Sequence, residues 1–187
     1  KFFESNHPGH DWLGRPWVNN TEKHIAQRDV CSGGRTRMGS ERIEGNIWED
    51  DPARMTNIEG RTTDRENQQD FIYFDVHQRF ADGPADYDLY VTYLDQGTAE
   101  WSVEYQQGDC LVSTTAVANQ DSKSLYTARF TLTQAAFANT LPGATDLRIY
   151  NGGSEDIEVR MVRLVRRSAF GCGDGQLQDS EACDDGN

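Results

Sequence analysis

The feature that most constrains the fold of this chain is a series of short segments in which apolar and polar residues alternate. The alternation is clear in residues 71–76, 87–94 and 157–165, and it indicates strands with one buried face. Gly, Asp, Asn and Pro residues bound the segments, which predicts turns between the strands. Strands spaced by about ten residues are typical of a β-sandwich. The other predicted strands are 42–48, 99–105, 110–117, 124–132 and 146–150.

These patterns predict an all-β fold, an antiparallel β-sandwich of the jelly-roll kind. Residues 1–38 are polar and rich in turn-forming residues, and they are expected to form an extended N-terminal arm. The sandwich is expected over 39–167, and 168–187 begin a short disulfide-bonded second unit. Residues 133–139 carry the one helical pattern, which predicts about one or two turns between strands. At 187 residues the chain is too short for two full-sized domains.

The charge of the chain disfavours two classes of partner. Its 31 acidic and 18 basic residues give a formal net charge of -13, which repels phosphate backbones and anionic membrane surfaces. The sequence also contains no run of 18 or more apolar residues, so membrane insertion is not expected. Neither nucleic acid nor the membrane interior is therefore a predicted partner.

Four cysteines lie at wide spacings, without the paired C-x-x-C of a zinc site. An even number of such cysteines predicts disulfides. The expected pairs are Cys172 with Cys183 and, as a long-range bridge, Cys31 with Cys110. The other two pairings remain open, because sequence alone does not decide connectivity.

The C-terminal residues contain a dense motif. Residues 172–175 read Cys-Gly-Asp-Gly, and 181–187 read Glu-Ala-Cys-Asp-Asp-Gly-Asn. This pattern resembles the start of the myxococcus-type cysteine-rich repeat. The resemblance implies a secreted or cell-surface protein, of which the chain is expected to be a piece.

The same motif supplies candidate ligands for a metal ion. Its carboxylates come close together if Cys172 and Cys183 are bridged, and Ca²⁺ prefers such hard oxygen ligands. A small calcium-binding loop is therefore one expectation, and a solvated acidic turn is the alternative. The candidate ligands are Asp174, Asp179, Glu181, Asp184 and Asp185.

The central part of the chain is similar to galactose-binding-like β-sandwich modules of bacterial polysaccharide-degrading enzymes. The segments that carry this resemblance are 60–63, 71–76, 91–97, 101–105 and 146–150. The resemblance implies a jelly roll, often with a structural calcium ion, that binds sugar through loops at one edge.

Sugar binding requires aromatic faces for the apolar faces of the pyranose ring and polar side chains for its hydroxyls. Packing in the core is the competing explanation for each aromatic residue, because Trp101 and Tyr105 have the same parity in one strand. The aromatic candidates are Trp48, Tyr93, Trp101, Tyr105 and Tyr150. The polar candidates are Asp95, Gln96, Arg148 and Asn151.

The sequence therefore predicts a non-catalytic carbohydrate-binding or adhesive module of a secreted or cell-surface bacterial protein. The first alternative is a structural subunit of an extracellular assembly, joined through arm aromatics that contact a neighbour. Those aromatics are Phe2, Phe3, Trp12 and Trp17. A polysaccharide-active hydrolase or metal-dependent enzyme is a further alternative, although no nucleophile-and-base motif is present.

Overall fold

The fold is described from a computed structural model, which covers residues 25–30, 32–39, 60–81 and 83–167. Eleven strands and one short 3-10 turn, Arg65–Asn67, are found in this part of the chain. The strands are β1 Ile25–Arg28, β2 Arg37–Met38, β3 Arg61–Thr62, β4 Phe71–Val76, β5 Ala85–Asp95, β6 Glu100–Gln107, β7 Cys110–Ser113, β8 Val117–Ala118, β9 Ser124–Ala135, β10 Leu147–Asn151 and β11 Glu158–Arg166.

All described strand pairs are antiparallel, and they form two halves. The first half has the order β1-β4-β10-β6. Strands β7 and β8 pair with the edge of β6 that faces away from β10. The second half has the order β9-β5-β11-β3-β2. The only described pair that joins them is Gln107 with Ala135. The sheet therefore folds over on itself as a sandwich.

The core lies between the inner faces of the two halves. Alternate residues of each long strand point into it, as the period of a strand requires. The first half contributes Ile72 and Phe74 from β4, and the second half contributes Leu89 and Val91 from β5, all of them fully buried. The predicted fold class, an antiparallel β-sandwich of jelly-roll type, is confirmed.

The predicted strands agree closely with the observed ones from residue 71 onward, whereas β1, β2 and β3 were not predicted. Each predicted strand from 71–76 onward corresponds to an observed strand, except that 110–117 contains two, β7 and β8. Between them, at 114–116, the chain leaves the regular pairing with β6, although Thr114 still donates its N–H to the Val103 carbonyl at 2.8 Å. The predicted strand 42–48 lies outside the described residues.

The prediction of a helix over 133–139 is wrong. Residues 133–135 continue β9, and the chain then forms a loop. Thr133 donates its backbone N–H to the Tyr105 hydroxyl at 3.1 Å, and the Thr133 carbonyl accepts from the Gln107 side chain at 3.0 Å. These bonds fix Thr133 beside β6, so tertiary contacts override the local helical propensity of Gln134 and Ala135.

The predicted bridge between Cys31 and Cys110 is also wrong, because Cys110 is a free, exposed thiol. Gly33 accepts a bond from the N–H of Phe71, whose neighbours across the sheet are Tyr150 and then Ser102. Cys110 is instead paired with Gln107, five positions further along β6. Strand geometry therefore separates Gly33 from Cys110 by about 20 Å. The Cα atoms of a disulfide-bonded pair lie within about 7 Å of one another.

Several expectations concern parts of the chain that the structure does not describe. They are residues 1–24 of the predicted N-terminal arm with its aromatics, the repeat at 172–187, the Cys172–Cys183 pair and the five proposed calcium ligands. The later part of the predicted arm does not extend away from the sandwich, because it contains β1 and β2, which pair with β4 and β3. The domain boundaries at 38 and 167 also remain predictions. No helix in the described residues has the length and apolar character needed to cross a membrane.

Asp95 stabilises the loop after β8. Its side chain is almost fully buried, and it accepts from the N–H groups of Gln120 at 2.6 Å and Ser122 at 3.0 Å. The Ser122 hydroxyl, together with these N–H groups, lowers the pKa of Asp95 and outweighs the opposing effect of burial. Because the pKa of the Asp95 carboxyl is lower in the folded protein than in the unfolded chain, Asp95 stabilises the fold at pH values above the unfolded pKa. This stabilisation is lost as the pH falls through the folded pKa.

Replacing Asp95 with asparagine is therefore expected to destabilise the fold at pH 7 and much less at low pH. The amide can accept one of the two N–H bonds, but its NH2 group opposes the other. Below about pH 4 the carboxylate of the unfolded chain begins to protonate, and the difference between the two proteins shrinks as the pH falls toward the lowered pKa of the folded state. Urea unfolding midpoints at pH 7 and pH 3 measure this difference. A difference that is constant or grows with acidification would contradict the assignment.

Candidate functional site

The candidate site lies on the outer face of the first half of the sandwich, across β4, β10 and β6. In β10, Leu147 and Ile149 point inward, so Arg148 and Tyr150 must point outward. The register aligns Tyr150 with Phe71 on β4 and with Ser102 on β6. In this row a large aromatic pair is followed by a small side chain.

A second row lies directly beside the first. The register aligns Arg148 with Tyr73 on β4 and with Glu104 on β6. Glu104 is in turn aligned with Ser113 on β7. We call Phe71, Ser102, Glu104, Arg148 and Tyr150 the outer-face platform.

Tyr150 is the exposed aromatic group of the platform. Its side chain is 37% exposed, and it stacks on Phe71 with ring centroids 5.1 Å apart and planes 26° apart. Gly152 lies beside the ring, since a Cβ built there would be 3.4 Å from a Tyr150 ring carbon. On the β6 side the neighbouring residue is Ser102, which is too small to cover the ring. The Tyr150 ring is thus supported by Phe71 on one side and has only the small Ser102 side chain as its cross-strand neighbour on the other.

Arg148 is held in place by three groups. Its Nε donates to Glu104 Oε2 at 2.6 Å, and its Nη1 donates to the Tyr73 hydroxyl at 3.0 Å. Its guanidinium carbon lies 4.0 Å from the centroid of the Phe71 ring, within the range of a cation–π contact. The half-buried ion pair of Arg148 and Glu104 is therefore preorganised next to Tyr150.

Hydroxyl groups lie on the β6 side of Tyr150. Ser113 Oγ donates to Ser102 Oγ at 2.9 Å, and the Glu104 carboxylate has lone pairs beyond the one that Arg148 uses. An aromatic ring next to a carboxylate, a guanidinium and hydroxyls can stack on the apolar face of a sugar and bond its rim. The platform thus combines the two kinds of contact that a sugar ring requires.

The structure places three predicted aromatic residues in the core. The Trp101 ring contacts Tyr93 at 5.0 Å and Phe130 at 5.7 Å between centroids, both nearly edge to face. Trp101 is 1% exposed, and its Nε1 donates to Asn119 Oδ1 at 3.3 Å. Burial, followed by the nearby Asp95 carboxylate, raises the pKa of Tyr93. Tyr105 is likewise buried. Their ring faces are covered by protein, so we leave these residues out of the candidate site.

The predicted polar residues divide in the same way. Asn151 is fully buried, and its amide donates to Thr63 Oγ1 at 3.0 Å and to the Glu155 carbonyl at 2.7 Å. Asp95 holds the loop after β8, and Gln96 is exposed in the turn between β5 and β6. Arg148 and Tyr150 are the two predicted residues that the structure brings together on an accessible face. Trp48 lies outside the described residues.

Sequence reasoning missed Phe71, Ser102 and Glu104. The parity of each strand contains part of the signal, since Phe71 alternates with the buried Ile72, and Glu104 with the buried Val103. The register between β4, β10 and β6 is not contained in any single strand. In the described residues, no group of three or more His, Cys, Asp or Glu side chains is placed to hold a metal ion.

The sequence matches no protein-family model, and it matches no curated protein. Two solved structures show a distant similarity to this chain. One is the C-terminal CBM6 of LamC, a marine laminarinase from Zobellia galactanivorans, with 11% identity, coverage of 77% of this chain and 90% of that chain, and a TM-score of 0.32. The other is Eiger TNF from S. frugiperda, with 16% identity, coverage of 82% and 98%, and a TM-score of 0.31. Neither similarity is strong enough to bear on the function of this chain.

Proposed function

We propose that the sandwich is a non-catalytic carbohydrate-binding or adhesive module of a secreted or cell-surface bacterial protein, and that polysaccharide binds at the outer-face platform. The observation that carries this proposal is the partly exposed Tyr150 ring, which stacks on Phe71 and lies beside the fixed Arg148–Glu104 ion pair. A sugar stacked on Tyr150 would place its hydroxyls over the small Ser102 and within reach of Glu104.

The shape of the platform also favours a class of glycan. It lies on the outer face of the sheet, where Gly33 and Gly34 border the Phe71 and Tyr73 rings on the β4 side, so we expect a bound glycan to extend from Tyr150 toward β6. Tyr150 is the one exposed aromatic residue on the described outer face of β4, β10 and β6. One exposed ring suits a single sugar within a soluble chain, whereas a crystalline surface would be expected to need a row of rings.

The charge of the platform points in the same direction. Glu104 and Arg148 neutralise one another at 2.6 Å, while the whole chain has a formal net charge of -13. A strongly acidic polysaccharide would therefore be repelled by the rest of the surface. Neutral polysaccharides are the class that we expect to bind.

A glycan array and a pull-down with insoluble polysaccharides, each with and without a calcium chelator, test the proposal. We expect selective binding to one neutral glycan class. Loss of binding with the chelator would add a calcium-dependent site to the module. A folded protein that binds no glycan in either assay would refute the proposed function.

Replacing Glu104 with glutamine is expected to weaken glycan binding about fivefold, since a bond to a charged acceptor is worth about 1 kcal/mol more than one to a neutral acceptor. The amide keeps the size of the side chain, and its oxygen can still accept the bond from Arg148 Nε, so the variant is expected to remain folded. Isothermal titration of both proteins measures the effect. Equal affinities would exclude the carboxylate from the site.

A further inference from the structure

A second candidate binding site is the edge of β9 that faces away from β5. β9 pairs with β5 along its whole length, but its described pairing with β6 is limited to Gln107 with Ala135. The remaining edge borders a cleft of about 580 Å³, within the size range of ligand sites. The other wall of the cleft is formed by residues 112–117, and its floor includes Tyr105 and Phe130.

Backbone groups of β9 point into this cleft. Thr133 directs both its N–H and its carbonyl toward β6, where Tyr105 and Gln107 bind them. Residues on the same face of a strand direct their backbone groups to the same edge. Arg129 and Thr131 share the face of Thr133, and both line the cleft. Their N–H and carbonyl groups therefore face the open edge.

Cross-strand contacts support this orientation. Thr127 and Thr92 are directly opposite, and their hydroxyls lie 2.8 Å apart. Such close side chains are typical of pairs whose backbone groups do not bond one another. Thr131 and Asp88 are a second pair of this kind, with 3.3 Å between side-chain oxygens. Alternate residues of β9 thus direct their hydrogen-bonding groups away from β5.

The sequence of β9 does little to protect this edge. Its twelve residues include no proline and one charged residue, Arg129. Proteins usually block an exposed edge with prolines, charges or a covering segment, because an open edge pairs with other strands. Leu125 and Tyr126, at the start of the same strand, are 38% and 50% exposed. The edge is long and carries a single charge, so it is suited to pairing with another strand.

The charge of the cleft indicates the character of its occupant. Its lining contains one cation, Arg129, and no carboxylate among the residues that form it, although the chain as a whole has an excess of acidic residues. The Nη2 of Arg129 donates to Asp88 Oδ2 at 2.9 Å, and the guanidinium has further N–H donors that this bond does not use. A second copy of this chain, with the same charge of -13, would be repelled as a whole. A short segment with a single acidic side chain adds only one charge to that repulsion and can place this charge beside Arg129.

We propose that the open edge of β9 binds an extended peptide segment of another protein that carries an acidic side chain, by adding it to the sheet as a further strand. The backbone of Arg129 and Thr131 supplies the main-chain bonds, and the Arg129 guanidinium selects the acidic residue. This site is separate from the outer-face platform, so the module would hold a glycan and a peptide at once.

The test uses two capped peptides of about six residues, the usual strand length. Both alternate valine with threonine; one carries a central aspartate, and the other carries lysine there. Backbone NMR of the whole chain is expected to show shifts and slower hydrogen exchange at Arg129 and Thr131 with the aspartate peptide. The lysine peptide is expected to bind at least about fivefold more weakly.

Two variants keep the test specific. Thr131→Pro removes an N–H that faces the open edge, a position where an edge strand tolerates proline, and it is expected to abolish binding. Arg129→Gln is expected to equalise the two peptides within about twofold, and it leaves Asp88 beside Arg167. Tyr150→Ala is the control and is expected to bind the aspartate peptide as the wild type does.

Three results would overturn the proposal. The first is that neither peptide affects Arg129 or Thr131, and the second is equal or stronger binding of the lysine peptide. The third is that a neutral oligosaccharide, and no peptide, shifts these two amides, which would assign the cleft to glycan. Loss of glycan binding in Tyr150→Ala concerns the platform alone, so the two proposals can fail separately.

Discussion

Replacing Trp101 with alanine is expected to lower the free energy of unfolding by about 4 kcal/mol, in the range for buried aromatic-to-alanine changes. The indole is 1% exposed and lies between Tyr93 and Phe130. Its removal leaves a large cavity at the centre of the sandwich. It also leaves the Oδ1 of Asn119 without the indole N–H. Urea unfolding of the two proteins measures the loss. It is followed by far-ultraviolet circular dichroism, because the backbone signal does not depend on the tryptophan that the variant lacks.

Trp101→Phe serves as the control, because it keeps an aromatic ring in the core and loses only part of the volume. We expect about half of the destabilisation or less for this variant. At temperatures where Trp101→Ala remains folded, its glycan affinity should equal that of the wild type. An alanine variant of near wild-type stability that no longer binds glycan would place Trp101 at the binding surface and contradict its assignment to the core.

Replacing Tyr150 with alanine is expected to weaken polysaccharide binding by at least about 30-fold, since an aromatic residue at the centre of a site commonly contributes about 2 kcal/mol. The stability should fall by about 1 kcal/mol, the amount expected for an aromatic pair that is lost at the surface. Titration with the glycan identified on the array gives the affinity. Phe71 loses its stacking partner in this variant, but it keeps Arg148 over its ring.

The control for Tyr150 is another exposed tyrosine. Tyr126 is 50% exposed, lies on β9 in the other half of the sandwich, and has a Tyr93 neighbour at 6.3 Å between ring centroids. Tyr126→Ala removes the same atoms from a place outside the platform, so its glycan affinity should remain within about twofold of the wild type. If the two variants lose affinity equally, or if Tyr126→Ala alone loses it, the glycan does not bind at the platform.

The strands were predictable because the alternation in each segment reports its two faces. In β6, for example, Val103 lies between Trp101 and Tyr105 at even spacing, and all three are buried together. The apolar Val103 identifies that parity as the core, so the burial of both aromatics follows from the pattern. The same reasoning places Glu104 outside. Parity therefore separates core from surface once the inward residues are recognised.

The site was only partly predictable, because it depends on the register between strands. Arg148 and Tyr150 lie two residues apart on the same face of one strand, and the sequence predicts both as sugar-binding residues. Their partners Phe71 and Glu104 lie on strands far away in the chain, and nothing in those strands specifies the alignment of Tyr150 with Phe71. The failed Cys31–Cys110 bridge has the same origin, since cysteine count is visible in sequence and the distance between strand ends is not.

The helix predicted over 133–139 failed for a related reason. Gln134, Ala135 and Ala136 favour a helix locally, but Gln134 has a left-handed φ of 49°, and Thr133 is bonded to β6 on both its backbone groups. Ala136 also donates its N–H to the Gln106 carbonyl at 2.8 Å. Contacts with a strand almost thirty residues earlier thus determine the conformation.

The most direct test of the proposed function is an NMR titration of the whole chain with the glycan that binds on the array. If the platform binds sugar, the largest shifts will fall at Ser102, Glu104 and Tyr150 across the two strands, and the Tyr150 ring resonances will move upon saturation. If no glycan shifts any resonance, or if the largest shifts lie away from β6 and β10, the outer-face platform is not the binding site.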